Sequence, residues 1–401
     1  MRAIEVAGLA KRSRDERQAA VEQARREGWD PAVETDSESS RLIAIRNGKP
    51  YVLMTHNRNA GISIAVDQVR NTAPFNLSGK GKTIGLWDAG NPRGTHQELT
   101  GRVWVMDGPP YWYSHSSHVG GTIGASGVVA NAVGMAPAVR IDSYDWVSDF
   151  PEMASRAMSI PGESNKLQVS NHSYGPSSGW TGSSPPRWYG AWGVRESDNF
   201  GSYEAEAAEL DGMCWSAPYW LPLLSDGNDR LDNAPLEGAV FSYYDGGWRQ
   251  TNYSSAIHPY NDYWDNGGYD TIPLRGSAKN VMTIGCVRDA VAGNIRSTAA
   301  AVIAPYSSWG PADDGRVKPD LMANGDMVYS CSELADFSYF TLSGCSMAVA
   351  AASGGAILLT EYYSSRFTNQ YMLASTIKGL MIHTADDLDA VGPDYRTGWG
   401  L

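Results

Sequence analysis

The chain of 401 residues has little of what several protein classes require. Its four cysteines are too few for a disulfide scaffold and show no C-x-x-C spacing of the kind found in metal sites. No run approaches the roughly 18 consecutive apolar residues of a membrane-spanning helix. Lys and Arg number 32 against 44 Asp and Glu, a net charge of -12, which argues against a nucleic-acid groove as the main surface.

The N-terminus lacks the pattern of a secretory signal. The first ten residues include Arg2 and Glu5, and no apolar core of about 7–15 residues follows them. Either a signal was removed before this sequence begins or the protein stays inside the cell.

What the chain does have is the composition of a folded protein. Hydrophobic residues make up 42% and charged residues 19%, which excludes a wholly disordered chain. The length fits one large α/β domain with an extension. One or two disulfides, or none, are compatible with the cysteine count.

The first 70 residues differ in pattern from the rest. Residues 13–28 are rich in Arg, Glu, Gln and Ala and predict a solvated helix ended by Gly28. Two β-rich runs, Arg41–Arg46 and Tyr51–Thr55, are joined by Asn-Gly-Lys-Pro and predict a hairpin. We therefore assign residues 1–70 to an extension and residues 71–401 to the main domain.

The main domain reads as an α/β fold. Apolar, β-rich runs alternate with helical or small-residue stretches, which predicts a mostly parallel sheet flanked by helices. In such a sheet the binding and catalytic residues lie at the carboxyl ends of the strands. The runs are Thr83–Trp87, Val139–Tyr144, Leu167–Ser170, Leu221–Leu224 and Val281–Val287.

Three polar residues stand at the places where chemistry is expected. Asp88 follows the first run, where an Asp is usually a turn or cap residue. His118 opens a small-residue helix, and its spacing from His115 could also be a weak metal pair. Ser346 begins a second small-residue helix, where a Ser is most often an N-cap. Together, in this order, they match an orienting group, a base and a nucleophile.

Their surroundings resemble the subtilisin-like serine proteases, or subtilases. Asp88-Ala89-Gly90 resembles the family's D-T-G, residues 115–122 (HSSHVGGT) resemble H-G-T-H-V-A-G-T, and residues 344–348 (GCSMA) resemble G-T-S-M-A. Further blocks match in order. They are residues 134–137 (GMAP), 171–175 (NHSYG), 225–228 (SDGN), 306–311 (YSSWGP) and 318–321 (KPDL), which resemble G-V-A-P, N-x-S-x-G, A-A-G-N, F-S-S-x-G-P and K-P-D-L.

The resemblance implies a three-layer subtilisin-like fold and a serine endopeptidase that works through an acyl-enzyme. The implied site consists of Ser346 as nucleophile, His118 as general base and acid, Asp88 as orienting group and Asn228 in the oxyanion hole. The implied substrate-binding residues are Ser173, Tyr174, Gly175, Ser225, Asp226 and Gly227. We expect a protein or peptide substrate, no nucleic-acid partner, a monomer and, by family habit, a secreted or cell-surface location.

The chain departs from the family pattern at several positions. Cys345 replaces the Thr before the nucleophile, and Asp226 stands beside the oxyanion segment. Cys345 could be a rival nucleophile, a buried small side chain or a disulfide partner of Cys331. Other departures are Ser116-Ser117 for G-T, Asn324 for Pro, and Ala350 where a Pro usually begins the helix.

Two long inserts, residues 176–218 and 229–276, carry six of the 14 tryptophans, and a seventh, Trp220, lies between them. The rings could line substrate subsites or fill satellite cores under the loops. A cluster of oxygen-bearing side chains could bind calcium, although such clusters are mostly turns. Its members are Asp262, Asp265, Asn266 and Asp270. No cofactor is expected for the chemistry. Structural calcium is compatible with the family, with its ligands unassigned.

Two other functions are compatible with the same residues. One is a non-catalytic, peptide-binding relative, and the other is a peptide ligase or macrocyclase that passes the acyl group to an amine. The extension could be a propeptide or its remnant, an intact part of the mature enzyme, or a fragment of one. Residues 398–401 (GWGL) resemble the start of the family's G-x-G-x-V motif, so we expect the chain to stop inside that motif, with further domains beyond.

Overall fold

The computed structural model describes residues 18–19, 22–23, 25–26, 32–35, 38–46, 49–54, 57–108, 111–182, 184–263, 266–368 and 370–401. From residue 57 onward the helices are α1 (Asn57–Ser63), α2 (Ser114–Gly124), α3 (Asp149–Arg156), α4 (Ala205–Ser216), α5 (Cys345–Arg366) and α6 (Ala374–Thr384).

The strands follow in chain order. They are β1 (Ala32–Thr35), β2 (Glu38–Arg46), β3 (Lys49–Met54), β4 (Thr83–Asp88), β5 (Val103–Val105), β6 (Arg140–Asp145), β7 (Val169–His172), β8 (Trp180–Thr181), β9 (Arg187–Trp188), β10 (Leu221–Ser225), β11 (Val240–Tyr244), β12 (Trp248–Asn252), β13 (Met282–Val287), β14 (Val291–Ala292), β15 (Ile295–Arg296), β16 (Leu321–Asn324), β17 (Val328–Cys331) and β18 (Tyr339–Leu342).

A seven-stranded sheet forms the centre of the main domain. Its order is β16-β13-β10-β7-β4-β6-β5, and every neighbouring pair is parallel. Each of the five predicted β runs overlaps a strand of this sheet. The predicted parallel α/β architecture is therefore confirmed.

The two faces of the sheet are covered by different helices. On β4, Leu86 packs into a core with side chains of α2, α5 and α6, whereas Trp87 packs into a second core with α3 and α4. Successive strand residues point to opposite faces, so both faces are buried. This is the three-layer arrangement that the family resemblance implies.

Helices α2 and α5 approach their neighbours closely because they are built from small residues. A Cβ at Gly354 in α5 would lie 2.4 Å from the Cβ of Met135, and one at Gly121 in α2 would lie 2.3 Å from Ser330 Oγ. Helix α5 is long and apolar enough to cross a membrane by length and composition, yet most of it is buried inside the protein. It is packed as a core helix.

The N-terminal region contains the predicted hairpin. Strands β2 and β3 pair antiparallel from Ser40 opposite Met54 to Arg46 opposite Lys49, and β1 adds a third strand that the sequence did not predict. The predicted helix over residues 13–28 is helical at its described positions, 18–19, 22–23 and 25–26, and the rest of it lies outside the described residues.

The predicted boundary at residue 70 is wrong, because the segment before it belongs to the main core. In α1, Asn57, Ala60 and Ile62 are buried, and Ala60 joins the core that contains α2 and α5. Asn57 Nδ2 donates to the carbonyl oxygens of Ala132 and Val133, 3.3 and 3.2 Å away. The main domain therefore includes residues from about 57 onward.

Some tryptophans of the inserts are buried, as expected for satellite cores, and others are exposed. Trp180 and Trp188 are buried in a satellite core with Phe241, beneath a small sheet of order β12-β11-β9-β8. Trp220 is buried in the main domain. Trp192, Trp215 and Trp248 are exposed, and Trp264 lies outside the described residues.

A buried carboxylate fixes the loop that follows α2. Glu98 is fully buried, and its two oxygens accept hydrogen bonds from the backbone N–H groups of Gly127, Val128 and Val129 at 2.6 to 3.0 Å. Ser126 Oγ and the Tyr339 hydroxyl also donate to it. Since backbone donors away from water must be paired, one side chain holds the turn in place.

We expect Glu98→Gln to lower the free energy of unfolding by about 2–4 kcal/mol, because the amide turns a donor toward three backbone donors and leaves some unpaired. Urea titration followed by fluorescence measures the change. The partly exposed Glu163→Gln is the matched control and should change stability by no more than about 0.5 kcal/mol. A Glu98→Gln variant as stable as this control would contradict the argument.

Candidate active site

The candidate residues meet at one edge of the central sheet. Asp88 ends β4, residues 173–175 follow β7, and Asn228 follows β10. Because these three strands are parallel and adjacent, their carboxyl ends lie side by side. The N-terminal turns of α2 and α5 bring His115 and Ser346 toward this edge.

Asp88 is paired with His115. The Asp88 side chain is fully buried, and His115 Nδ1 lies 2.8 and 2.9 Å from its two oxygens. The same carboxylate accepts from the N–H of Ala89 at 2.7 Å and from Ser116 Oγ at 3.0 Å. Several donors thus satisfy a charge that burial would otherwise make costly.

The environment of His115 favours its protonated form. Partial burial alone would lower its pKa, but the charge of Asp88 and the hydrogen bond to it outweigh burial and raise the pKa above 6.5. The ring keeps 30% of its side-chain surface exposed. His115 is therefore a histidine that can exchange a proton with a group in the cleft.

The prediction that His118 is the base is wrong. His118 lies one helical turn beyond His115, is fully buried, and has its Nε2 2.9 Å from the carbonyl oxygen of Val328 in β17. Burial lowers its pKa to about 3, so the ring is neutral. A neutral imidazole with Nε2 as donor to a backbone carbonyl holds α2 against β17 and does not face the cleft.

Ser346 is the second residue of α5 and lies against Ser173. Ser346 Oγ donates to the carbonyl oxygen of Ser173 at 3.1 Å, and Ser173 Oγ donates to the carbonyl oxygen of Ser346 at 2.9 Å. Ser346 is 8% exposed. Among the described residues no hydrogen bond joins Ser346 Oγ to His115, an arrangement common where a catalytic contact tightens only with substrate.

Asn228 reaches the same helix end from β10. Its Oδ1 accepts from the N–H of Cys345 at 2.9 Å, which leaves Nδ2 as a donor. The side chain is exposed, and Nδ2 lies 3.6 Å from where a Cβ at Gly344 would be. The N–H of Ser346 belongs to the first helical turn, where backbone donors have no partner within the helix. An anion at this point would meet two donors and the positive end of α5.

The predicted substrate-binding residues differ in how far they are exposed to solvent. Asp226 is fully buried and cannot touch a substrate, so this prediction is wrong. Ser173 is buried against Ser346, and Tyr174 donates its hydroxyl to Asp149 at 2.6 Å. The partly exposed Ser225 and Gly227 and the exposed Gly175 are open to a ligand, and their role stays a prediction.

Cys345 is a buried small side chain. It is fully buried, and burial raises the pKa of its thiol well above the ordinary value, which disfavours the nucleophilic thiolate. All four cysteines are free thiols, so the disulfide alternative between Cys345 and Cys331 is wrong.

The predicted calcium ligands do not converge where the structure describes them. Both carboxylate oxygens of Asp262 face the N–H of Trp180, at 3.3 and 3.0 Å, whereas Asp270 lies beside Gly201. Asp265 lies outside the described residues. Within the described part of the chain no group of three His, Cys, Asp or Glu side chains could hold a metal ion. Calcium stays a prediction without assigned ligands.

His115 is the candidate site residue that the sequence analysis did not assign, although the motif contained it. The sequence carries no signal that separates it from His118, because the two lie three residues apart in one small-residue helix. The exposure of Tyr111, Trp112 and Tyr113 just before His115 is evident only in the structure. The reciprocal pair of Ser173 and Ser346 had no sequence signal.

Two solved structures with a similar fold carry the name protease. The chain superposes on the Clostridium perfringens CspB protease with a TM-score of 0.60 at 16% identity, covering 86% of this chain and 97% of that one. It superposes on the prenylagaramide maturation protease PagA with a TM-score of 0.51 at 15% identity, covering 80% and 89%. At these identities the likeness shows the fold.

The fold and the sequence blocks define the class of this protein as subtilisin-like. The sequence pattern of the Subtilase family matches residues 94–400, about three quarters of the chain. The chain belongs to the subtilase family. Because the match begins after Asp88, the place of Asp88 in the site rests on its contacts with His115.

Curated relatives share parts of the sequence. Serine protease AprX of Bacillus subtilis is 33% identical over 110 residues, which cover 24% of each chain. Serine protease/ABC transporter B family protein tagB of Dictyostelium discoideum is 23% identical over 350 residues, 73% of this chain and 18% of that protein. The chain spans about a quarter or less of the length of these relatives.

We expect the His115 imidazole to titrate above pH 6.5 in the folded protein and lower in Asp88→Asn, because the carboxylate charge raises the pKa. An NMR titration of the ring protons, assigned with His115→Gln, measures both values. Folding holds this proton more tightly, so the ion pair adds stability below about pH 6.5 that is lost as pH rises through the folded pKa. His118 is the internal control and should stay neutral to about pH 3. A His115 pKa below 6.5 would contradict the pairing.

Proposed function

We propose that the protein is a serine endopeptidase that hydrolyses peptide bonds through an acyl-enzyme. Ser346 is the nucleophile, His115 the general base and acid, and Asp88 the orienting group. The observation that carries the proposal is the contact between Asp88 and His115 at the sheet edge where Ser346 begins α5. Membership of the subtilase family supports the same reaction class.

The orientation of His115 suits this role. Because its Nδ1 faces Asp88, its Nε2 is the nitrogen left to take the proton of Ser346 as the hydroxyl attacks the carbonyl carbon. The proton then passes from Nε2 to the leaving amine. Water repeats the sequence on the acyl-enzyme and releases the acid. Asp88 keeps the imidazole in one tautomer and stabilises the imidazolium.

Two donors are available for the oxyanion that forms during each attack. Asn228 Nδ2 remains as a donor, since Oδ1 accepts from the N–H of Cys345, and the Ser346 N–H lies in the first turn of α5. Donors fixed before the reaction need no reorganisation when the charge develops, which makes this arrangement effective.

Hydrolysis is proposed over transfer to an amine because the site is open. Asn228 is exposed, and a ring edge of His115 reaches solvent, so water can enter the cleft. Aminolysis needs water to be excluded from the acyl-enzyme. A non-catalytic relative is disfavoured because Asp88, a histidine and Ser346 are all present at one sheet edge. A secreted or cell-surface location and a monomeric state stay predictions.

We expect a fluorophosphonate probe to label the wild-type protein and not Ser346→Ala, because the probe reacts with an activated serine. His115→Ala should lower kcat/KM on a peptide substrate by about 10⁴-fold or more, since the hydroxyl loses its base. Probe labelling and steady-state kinetics measure these effects across pH. Activity should also fall as pH drops through a value above 6.5, because protonated His115 cannot accept a proton.

The matched control for His115→Ala is His118→Gln, the second histidine of the same helix. We expect this variant to melt at a lower temperature while the folded fraction keeps its rate. If His118→Gln abolished activity and His115→Ala spared it, the assignment of the base would be wrong. Labelling that persisted in Ser346→Ala would contradict the nucleophile.

Replacing Asn228 tests the oxyanion site separately. We expect Asn228→Ala to lower kcat by about 10²–10³-fold with little change in KM, because the lost donor acts mainly on the charge of the transition state. Since Asn228 is exposed, folding should be preserved, which thermal melting checks. A loss confined to KM would instead place Asn228 in ground-state binding.

A further inference from the structure

We propose that the ion pair of Asp149 and Arg275 positions the segment 173–175, and through it Ser346, by holding the hydroxyl of Tyr174. Asp149 and Arg275 are thus positioning residues. This inference rests on the proposed function, because it concerns the direction of the proposed nucleophile. Tyr174 stands at a variable place of the N-x-S-x-G block, so the block itself does not specify this side chain.

The segment 173–175 continues the alternation of β7, in which successive side chains point to opposite faces of the sheet. On one face, Asn171 Oδ1 accepts from Ser353 Oγ of α5 at 3.1 Å, and Asn171 Nδ2 donates to Ser173 Oγ at 3.0 Å. Ser173 in turn exchanges hydrogen bonds with Ser346. A displacement of Ser173 would therefore turn the Ser346 hydroxyl.

The next side chain, Tyr174, joins the segment to the helices on the other face. Its hydroxyl donates to Asp149 Oδ2 at 2.6 Å, and Asp149 is the first residue of α3. The Tyr174 ring packs against the second core, which contains Met153 of α3. Asp149 is 6% exposed, so the bond lies largely out of water. The segment is held from both faces, by α5 through Ser173 and by α3 through Tyr174.

Arg275 fixes the carboxylate that accepts this bond. It lies in the turn Leu274–Ser277 before β13, and its Nη1 donates to the same Asp149 Oδ2 at 2.6 Å. Its Nε donates to Glu206 Oε2 of α4 at 2.7 Å, and its guanidinium lies 4.8 Å from the centroid of the Phe150 ring. Because a planar guanidinium held in this way has one orientation, the Asp149 carboxylate is held in one orientation too.

A buried chain of hydrogen bonds gives the Tyr174 hydroxyl one direction. Trp220 Nε1 can only donate, and it donates to Ser170 Oγ at 2.9 Å, so the Ser170 proton goes to His172 Nε2, 2.8 Å away. The ring proton of His172 is then on Nδ1, which lies 3.4 Å from the Tyr174 hydroxyl and donates to it. Burial lowers the pKa of His172 to about 3, which keeps the ring neutral. The hydroxyl gives its own proton to Asp149.

The test is a double-mutant cycle on Tyr174→Phe and Asp149→Asn. The first change removes only the hydroxyl and keeps the packed ring, and the second keeps the shape of the side chain but removes its charge. We expect each variant to lower the fluorophosphonate labelling rate and kcat by about tenfold, because a small displacement of the nucleophile is costly. The double variant should also be about tenfold slower in total, since Asp149 acts through a hydroxyl that is already absent.

Two results of the cycle would overturn the proposal. Tyr174→Phe labelled within about threefold of the wild-type rate would show that the hydroxyl does not position Ser346. Losses that multiply to about 100-fold in the double variant would show that Asp149 acts independently of Tyr174. Thermal melting checks that each variant is folded. If Asp149→Asn does not fold, Arg275→Gln takes its place in the cycle with the same expected rates.

Hydrogen exchange tests the positioning apart from catalysis. Mass spectrometry of the peptide that contains residues 173–175 should show amide exchange about tenfold faster in both single variants than in wild type, because the segment is released from α3. Unchanged exchange would overturn the proposal whether or not the protein is active. Failure of the proposed function looks different, since the wild-type protein is then not labelled while the exchange rates still respond to the variants.

The matched control is Tyr339→Phe in β18. Tyr339 also donates a half-buried hydroxyl to a buried carboxylate, Glu98 Oε1 at 2.9 Å, but that carboxylate holds the loop after α2. This variant should keep a labelling rate within about twofold of wild type and leave exchange at residues 173–175 unchanged. If it were as slow as Tyr174→Phe, any lost hydroxyl would slow the site and the proposal would be wrong.

Discussion

The close packing of α2 and α5 against the central sheet is the constraint on which the site depends. Gly121 and Gly354 leave no room for a side chain, so both helices lie near their neighbours and their first turns reach the edge where the parallel strands end. His115 and Ser346 then come from helix ends, and Asp88 from a strand end, without any of the three lying on a flexible connection. Where packing is this close, adding even one methylene group would displace the neighbouring atoms. This is why so many residues of α2 and α5 are glycine or alanine.

Bringing helix ends and strand ends together buries polar groups, and the site consists largely of the bonds that satisfy them. Ser173 and Ser346 exchange hydrogen bonds between side chain and backbone, and Asn228 caps the N–H of Cys345. Each bond joins a strand end to α5. The hydrogen bonds that offset the cost of burying these polar groups also fix the direction of the Ser346 side chain. Stability and positioning therefore cannot be separated at these residues.

Much of this could be predicted from the sequence, because it follows from periodicity and order along the chain. The five apolar runs predicted the parallel strands, the end of the first run predicted where Asp88 would lie, and the family resemblance implied the place of Asn228. The choice between His115 and His118 could not be made in that way. The two are three residues apart on one helix, and what separates them is the direction in which each ring points. His115 points to the carboxylate at the end of β4, and His118 points to a carbonyl of β17. The boundary near residue 57 was missed for a related reason, since α1 is short and its burial depends on distant residues.

Asp88 and Asp226 also show that the sequence alone does not determine the surroundings of a buried side chain. Both follow or end a strand of one sheet, both are fully buried, and both stand next to a glycine-containing turn. Asp88 accepts from an imidazole, a hydroxyl and a backbone N–H, so its negative charge is compensated at every side. Asp226 accepts a hydrogen bond from the Ser307 hydroxyl, and burial raises the pKa of its carboxyl well above the ordinary value. Burial alone therefore does not decide the charge of a carboxyl group. The donors around it also matter, and they come from residues that only the fold brings together: Asp88 meets the ring of His115, whereas Asp226 meets the hydroxyl of Ser307.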